Sequence, residues 1–251
     1  SNSSSTRTFA ASFTNGVPSV KMDNRISGTP SSAPLYMRVK RQGNQWTQFY
    51  SFDGVNWTSS VIFTHVLSVT SVGPFAGNCG SPECGSNPAP AFTSLIDYFY
   101  NVGTSPTTTT TTTSSSTTTT TTTSTTTTTI DDFNEPSLNT GIWTFINPLG
   151  DATLVMTGTQ VSISVPAGTS HDVWISNLAP RIMQSANNTD FEVEVKFDSP
   201  LSSKYQLQGI IIEQDSQNYL RFDFVTDGSN TRTFAASFTN GVASVKKDNR
   251  I

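Results

Sequence analysis

The chain has 251 residues, of which 13% are charged, and a formal net charge of −4. That charge content is about half the roughly 25% usual in soluble domains, and no Lys/Arg run offers a stripe to phosphates, which excludes nucleic acid as a partner. No apolar stretch reaches the ~18 residues of a membrane span. The chain opens at Ser1 in mid-motif, so the lack of a signal peptide is read as a missing N-terminus.

In chain order, residues 6–26 place Phe9, Ala11 and Phe13 on one face of a strand, followed by the hairpin turn Asn15-Gly16. Leu35, Met37 and Val39 repeat the alternation, with turns at Gly43-Asn44 and Asp53-Gly54. Cys79 and Cys84 flank Gly80-Ser81-Pro82-Glu83, and Gly77 and Gly85 free the loop to bring the two Cα atoms within the 4.4–6.8 Å that a disulfide requires. The spacing predicts a Cys79–Cys84 bridge that shapes a surface loop. Two cysteines without a neighbouring histidine do not make a zinc site.

Residues 104–129 comprise 20 Thr, 5 Ser and one Pro. Such a tract has no apolar side chain with which to offset its ordering entropy, so it reads as a disordered linker and an O-glycosylated stalk. Asn56-Trp57-Thr58 and Asn187-Asn188-Thr189 fit the N-glycosylation sequon. Stalk, paired cysteines and sequons together predict an extracellular, secreted or cell-surface protein. Beyond the tract, Val161/Ile163/Val165, Phe191/Val193/Val195/Phe197 and Leu220/Phe222/Phe224 again alternate, and Asp227-Gly228 marks a turn.

Residues 231–251 then repeat residues 6–26, differing only at Pro18/Ala243 and Met22/Lys247. The offset of 225 residues defines a tandem repeat. Residues 1–103 are read as the C-terminal half of one module, 104–129 as the linker, and 130–251 as the N-terminal half of the next copy. The halves are expected to close on each other as one circularly permuted module, with 231–251 favoured over 6–26 for the one slot that both fit. Periodicity of 3.6 residues is absent beyond about two turns, so the fold expected is all-β: a two-sheet jelly-roll sandwich, with a barrel as the alternative.

IDDFNEPSLNTGIWTF (130–145), HDVWISNLAPRIMQ (171–184), LQGIIIEQDSQNYLRFDF (207–224), RQGNQWTQFYSFDGVNWT (41–58) and FTSLIDYFYNV (92–102) resemble the concanavalin A-like lectin/glucanase superfamily. More narrowly they are similar to laminin-G-like modules found beside bacterial glycosidases, including the C-terminal domain of β-xylosidases. The resemblance implies the jelly roll. It also directs attention to the Glu-x-Asp-x-Glu strand that β-glucan-cleaving members carry.

The nearest match, Glu213-Gln214-Asp215-Ser216-Gln217, ends in an amide that cannot act as a general acid, and Asp215 is expected to begin a turn. Glu192 and Glu194 lie opposite an apolar face and read as a solvated one. His65 and His171 are too few for a three-histidine metal centre, and no G-x-S-x-G accompanies a serine triad. The reading is therefore non-catalytic, with no cofactor.

A sugar site needs an aromatic platform and planar polar groups. The residues expected to form it are Trp174, His171, Arg181, Gln184, Gln208 and Arg221, each with core packing or an ion pair as its alternative. Asp131, Asp132 and Asp97 lie at the two ends of the module, where relatives hold a structural Ca²⁺; strand-end capping is the alternative. Ser51–Trp57 resembles a shortened Asp-box hairpin, in which Asp oxygens take turn N–H groups and Trp packs beneath. The function expected is glycan or cell-surface polysaccharide binding, with repetition along the stalk supplying avidity. A ligand-free spacer is the rival, and a glycoside hydrolase a third reading.

Overall fold

The computed structural model describes residues 6–15, 17–25, 34–85, 87–101, 130–174, 177–226, 232–239 and 242–250. The Thr-rich tract and the turns at Gly16 and Asp227-Gly228 lie outside the described residues. Among these the chain is all-β. The first part contributes β1 (Thr6–Thr14), β2 (Val17–Arg25), β3 (Leu35–Gln42), β4 (Gln45–Ser51), β5 (Thr58–Thr64), β6 (Ser71–Asn78) and β7 (Phe92–Asn101). After the tract come β8 (Ile130–Asp131), β9 (Thr144–Ile146), β10 (Thr153–Met156), β11 (Val161–Val165), β12 (Arg181–Ser185) and β13 (Phe191–Phe197). β14 (Gln206–Asp215), β15 (Asn218–Thr226), β16 (Arg232–Thr239) and β17 (Val242–Arg250) complete the order.

Two antiparallel sheets result. One runs β2-β1-β15-β14-β6-β12-β9, and the other β10-β11-β7-β13-β3-β4-β5 with β8 alongside β7. Strands from before and after the Thr tract are interleaved in both. β13 pairs β3 through Val195↔Met37 and β7 through Val195↔Phe99, while β14 lies between β15 and β6. Period-two alternation carries the inward faces: Phe191, Val193, Val195 and Phe197 on β13, and Leu220, Phe222 and Phe224 on β15, are buried in one core between the sheets with Trp46 and Trp143. Each such large apolar side chain contributes roughly 1.5–3 kcal/mol of transfer free energy.

The opposite face of the seven-stranded sheet is also buried. Phe9, Ala11 and Phe13 of β1, Tyr219 of β15, Leu207 and Ile211 of β14 and Phe75 of β6 pack there against Val173 and Ala179. The segment between β11 and β12 therefore roofs this face as a strap. It lies so close that a Cβ added at Gly77 would stand 2.4 Å from the His171 carbonyl oxygen.

The duplicated hairpin is resolved in favour of the first copy, which corrects the sequence expectation. β1 occupies the slot beside β15 through pairs such as Ala10↔Phe222, while β16 and β17 pair with each other as a separate two-stranded sheet beside β2. Both hairpins share one register, Arg7↔Arg25 and Arg232↔Arg250, and one bulge, after Ala10 and after Ala235. Their near-identity makes them equivalent in local preference; the copy in the sheet is the one that precedes β3, while the copy that follows β15 lies outside it. Hydrogen exchange checks this. Amides of Thr8–Phe13 should be protected to near the global stability and those of 233–238 should exchange faster, with Pro18/Ala243 and Met22/Lys247 separating the peptides; the reverse pattern would seat the second copy.

Candidate functional site

Of the residues expected to bind sugar, Arg181 and Arg221 lie beneath the strap and hold it down, while His171 and Trp174 belong to the strap itself. Arg221 alternates away from Leu220 and Phe222 as its strand position requires, but its guanidinium does not reach solvent. Nε and Nη2 donate to the two carboxylate oxygens of Asp223 at 2.8 and 3.0 Å, and Nη1 donates to Asp172 Oδ1 at 2.9 Å. Burial works against the charge, but Asp223 and Asp172 more than offset it and hold this guanidinium above its ordinary pKa. The Phe9 ring covers it at 4.4 Å.

Further along the strap, Arg181 Nε lies 2.8 Å from Glu213 Oε1, which also accepts from Asn177 Nδ2 at 2.7 Å. Burial raises the Glu213 pKa and lowers that of Arg181, so each charge depends on the other. Tyr219 Oη donates to the Val173 carbonyl, and Arg181 Nη1 to the Ala179 carbonyl.

His171 has no exposed surface; Nε2 lies 2.7 Å from Asp151 Oδ1 and Nδ1 within 3.1 Å of Asn78 Oδ1. Gln208 points into the core between the sheets, its Oε1 accepting from Ser94 and Ser199. Gln184 is buried in β12. Among the six, only Trp174 is half-exposed, set edge-on to Phe9 with ring centroids 6.3 Å apart. Asp172, Val173, Asn177 and Ala179 of the segment between β11 and β12 cover Arg181 and Arg221 on this face.

Cys79 and Cys84 are disulfide-bonded, with Cα atoms 5.7 Å apart, next to the same buried face. The three carboxylates considered for calcium have separate protein partners. Asp131 accepts from the Phe133 amide and from Trp143 Nε1, Asp132 from Asn134 Nδ2, and Asp97 pairs with Lys196 at 2.8 Å. No group of three His, Cys, Asp or Glu side chains placed to hold a metal occurs among the described residues. Asp215 caps its turn by accepting from the Gln217 and Asn218 amides at 2.9 and 2.8 Å.

The face that sequence reasoning passed over is the outer side of the eight-stranded sheet. Glu194, expected on a solvated face, has a side chain only 8% exposed: Arg38 Nε donates to Oε2 at 2.6 Å and Tyr98 Oη to Oε1 at 2.6 Å. Burial and this carboxylate raise the Tyr98 pKa, which keeps the phenol a donor. Tyr98 and Tyr100 stack with centroids 4.1 Å apart and planes 7° apart, and the Arg38 guanidinium lies 4.0 Å over the Trp57 ring.

Trp57 is positioned by the Asp-box-like turn. Asp53 Oδ1 accepts from the Asn56 and Val55 amides at 2.7 and 2.8 Å, Gly54 adopts φ +73°, and Trp57 Nε1 donates to the Gly54 carbonyl. Those N–H donors, the Asn56 amide foremost, hold the Asp53 carboxyl well below the usual carboxylate range. Alternation alone showed the polarity of this face; cross-strand register was needed to show that its aromatics cluster.

No protein-family model matches the sequence, and no curated protein matches it. Among the described residues no helix is long and apolar enough to cross a membrane.

Replacing Arg221 with Met should destabilise the chain by about 3–5 kcal/mol, read as a lower urea midpoint, because Asp172 and Asp223 would remain buried without their cation. A change below 1 kcal/mol would mean that the strap is not fastened by this network.

Proposed function

We propose that this chain is a non-catalytic extracellular module that binds glycans or mediates adhesion, repeated along a Thr/Ser-rich stalk. The observation that carries the reading is the outer face of the eight-stranded sheet, where half-exposed Trp57, Tyr36, Tyr98 and Tyr100 stand among fixed charged groups. Aromatic faces take up the C–H side of a sugar ring, and immobilised polar groups bind hydroxyls at low entropic cost. The non-catalytic part rests on the neighbours of Glu213 and Asp215: one is paired to Arg181 and Asn177, the other caps a turn, so neither is free as a general acid or nucleophile.

The same reading includes the jelly roll, the concanavalin A-like resemblance and the circular permutation. Interleaving of strands from residues 1–103 and 130–251 in both sheets supports the complementarity of the halves. Joined in natural order, 130–251 followed by 27–103, they should give one cooperative melt and an all-β circular dichroism spectrum; a non-cooperative or unfolded product would overturn the permuted-module reading.

A second reading, a ligand-free spacer, is favoured by the strap-covered face of the seven-stranded sheet, which is filled by Phe9, Phe13, Leu207 and Ile211. A glycan array probed with the 251-residue chain separates the two. Retention on at least one polysaccharide class is expected, and retention on none would leave the spacer.

A further inference from the structure

We infer that the slot beside β15 is exchangeable: within one chain the hairpin β16–β17 can replace β1–β2 there, in the same register, as an alternative edge of the seven-stranded sheet. The strand that would enter the slot is the same in both copies. Residues 6–14 and 231–239 both read TRTFAASFT. The two positions that differ, Pro18/Ala243 and Met22/Lys247, fall on β2 and β17, the hairpin strands that do not pair with β15.

The contacts that seat β1 use residues present in both copies. Phe13 stacks on Tyr219 with ring centroids 3.8 Å apart, and Phe9 lies edge-on to Trp174 at 6.3 Å and covers the Arg221 guanidinium at 4.4 Å. Thr8 Oγ1 lies 2.6 Å from Ser60 Oγ, and the Asn15 amide donates to Asn218 Oδ1 at 2.7 Å. Ala10 and Ala11 have no exposed surface, so the site also demands small side chains there. In the second copy the same positions are Thr233, Phe234, Ala235, Ala236, Phe238 and Asn240.

The chain connection suits the exchange as well. β1 pairs β15 through Thr6↔Thr226 and Arg7↔Val225. Moved by the 225-residue offset, that register sets Thr231 opposite Thr226 and Arg232 opposite Val225. Asp227-Gly228-Ser229-Asn230 is then a four-residue hairpin loop, a common length, composed of turn-forming residues. The bulge after Ala10 recurs after Ala235, so the replacement has the bend and twist of the hairpin it displaces. Two hairpins with the same docking strand and a single site make a two-state element.

The exchange is independent of glycan binding, and the full 251-residue chain tests it. The double variant Ala11→Asp/Phe13→Asp places two carboxylates on the buried face of β1 and should expel that copy. Hydrogen exchange should then show protection lost at residues 8–13 and raised about tenfold or more at 233–238, with the elution volume of the parent on size exclusion. The melting temperature should fall by about 4 °C or less. Adding Ala236→Asp/Phe238→Asp bars both copies from the slot, and melting should then fall by about 10 °C or more. Protection retained at 8–13, or lost there without a gain at 233–238, including failure to fold, would overturn the exchange. A gain accompanied by a new dimer would overturn exchange within one chain, and a quadruple variant as stable as the double one would show that the second copy never fills the slot.

Discussion

Every inner strand of the two sheets except β4 depends on backbone hydrogen bonds supplied from the other side of the Thr tract. β13 is bonded on one edge to β3 and on the other to β7, and β6 is inserted between β14 and β12. Separated, either set of strands would expose unpaired N–H and C=O groups beside rows of Val, Ile and Phe, an arrangement prone to edge-to-edge association. The interleaving turns these edges into ladder interiors and closes a single core over Trp46, Trp143 and Phe222. Both sides of the molecule derive their character from it: the sheets are rigid because each half completes the other.

The two outer faces are used differently. On the seven-stranded sheet the strap brings Asp172 to Arg221 and Asn177 to Glu213, so that charged groups which could have met a ligand are spent on holding a loop. Such buried pairs add little net stability over apolar residues, but losing one partner leaves a costly unpaired charge. On the eight-stranded sheet the rings are half-buried, Trp57 against the Arg38 guanidinium and Tyr98 against Tyr100, with the charges between aromatics at the surface. Glu194 links two strands and two kinds of side chain, Arg38 from β3 and Tyr98 from β7. The Asp53 turn extends this arrangement by placing Trp57 against Arg38.

The repeated hairpin shows how far equal local chemistry reaches. β1–β2 and β16–β17 share register and bulge, and only one is in the sheet. Occupancy of the slot beside β15 is therefore not set by the hairpin's local sequence, since the second copy directly follows β15 and still lies outside the sheet.

Much of the fold could be read from the sequence because alternation is local. Phe191, Val193, Val195 and Phe197 face inward as their spacing required, Asp215 and Asp53 anchor turns, and Arg221 lies opposite Leu220 and Phe222. A 19-of-21 repeat fixed the period without any coordinates. Which outer face is covered was not local information. Arg221 is sealed by Asp172, 49 positions away, and Glu194 by Arg38, 156 positions away. Period-two patterning assigns a side chain to one side of a sheet; whether that side meets solvent, a strap or a neighbouring ring depends on loops and registers that only the assembled sandwich brings together.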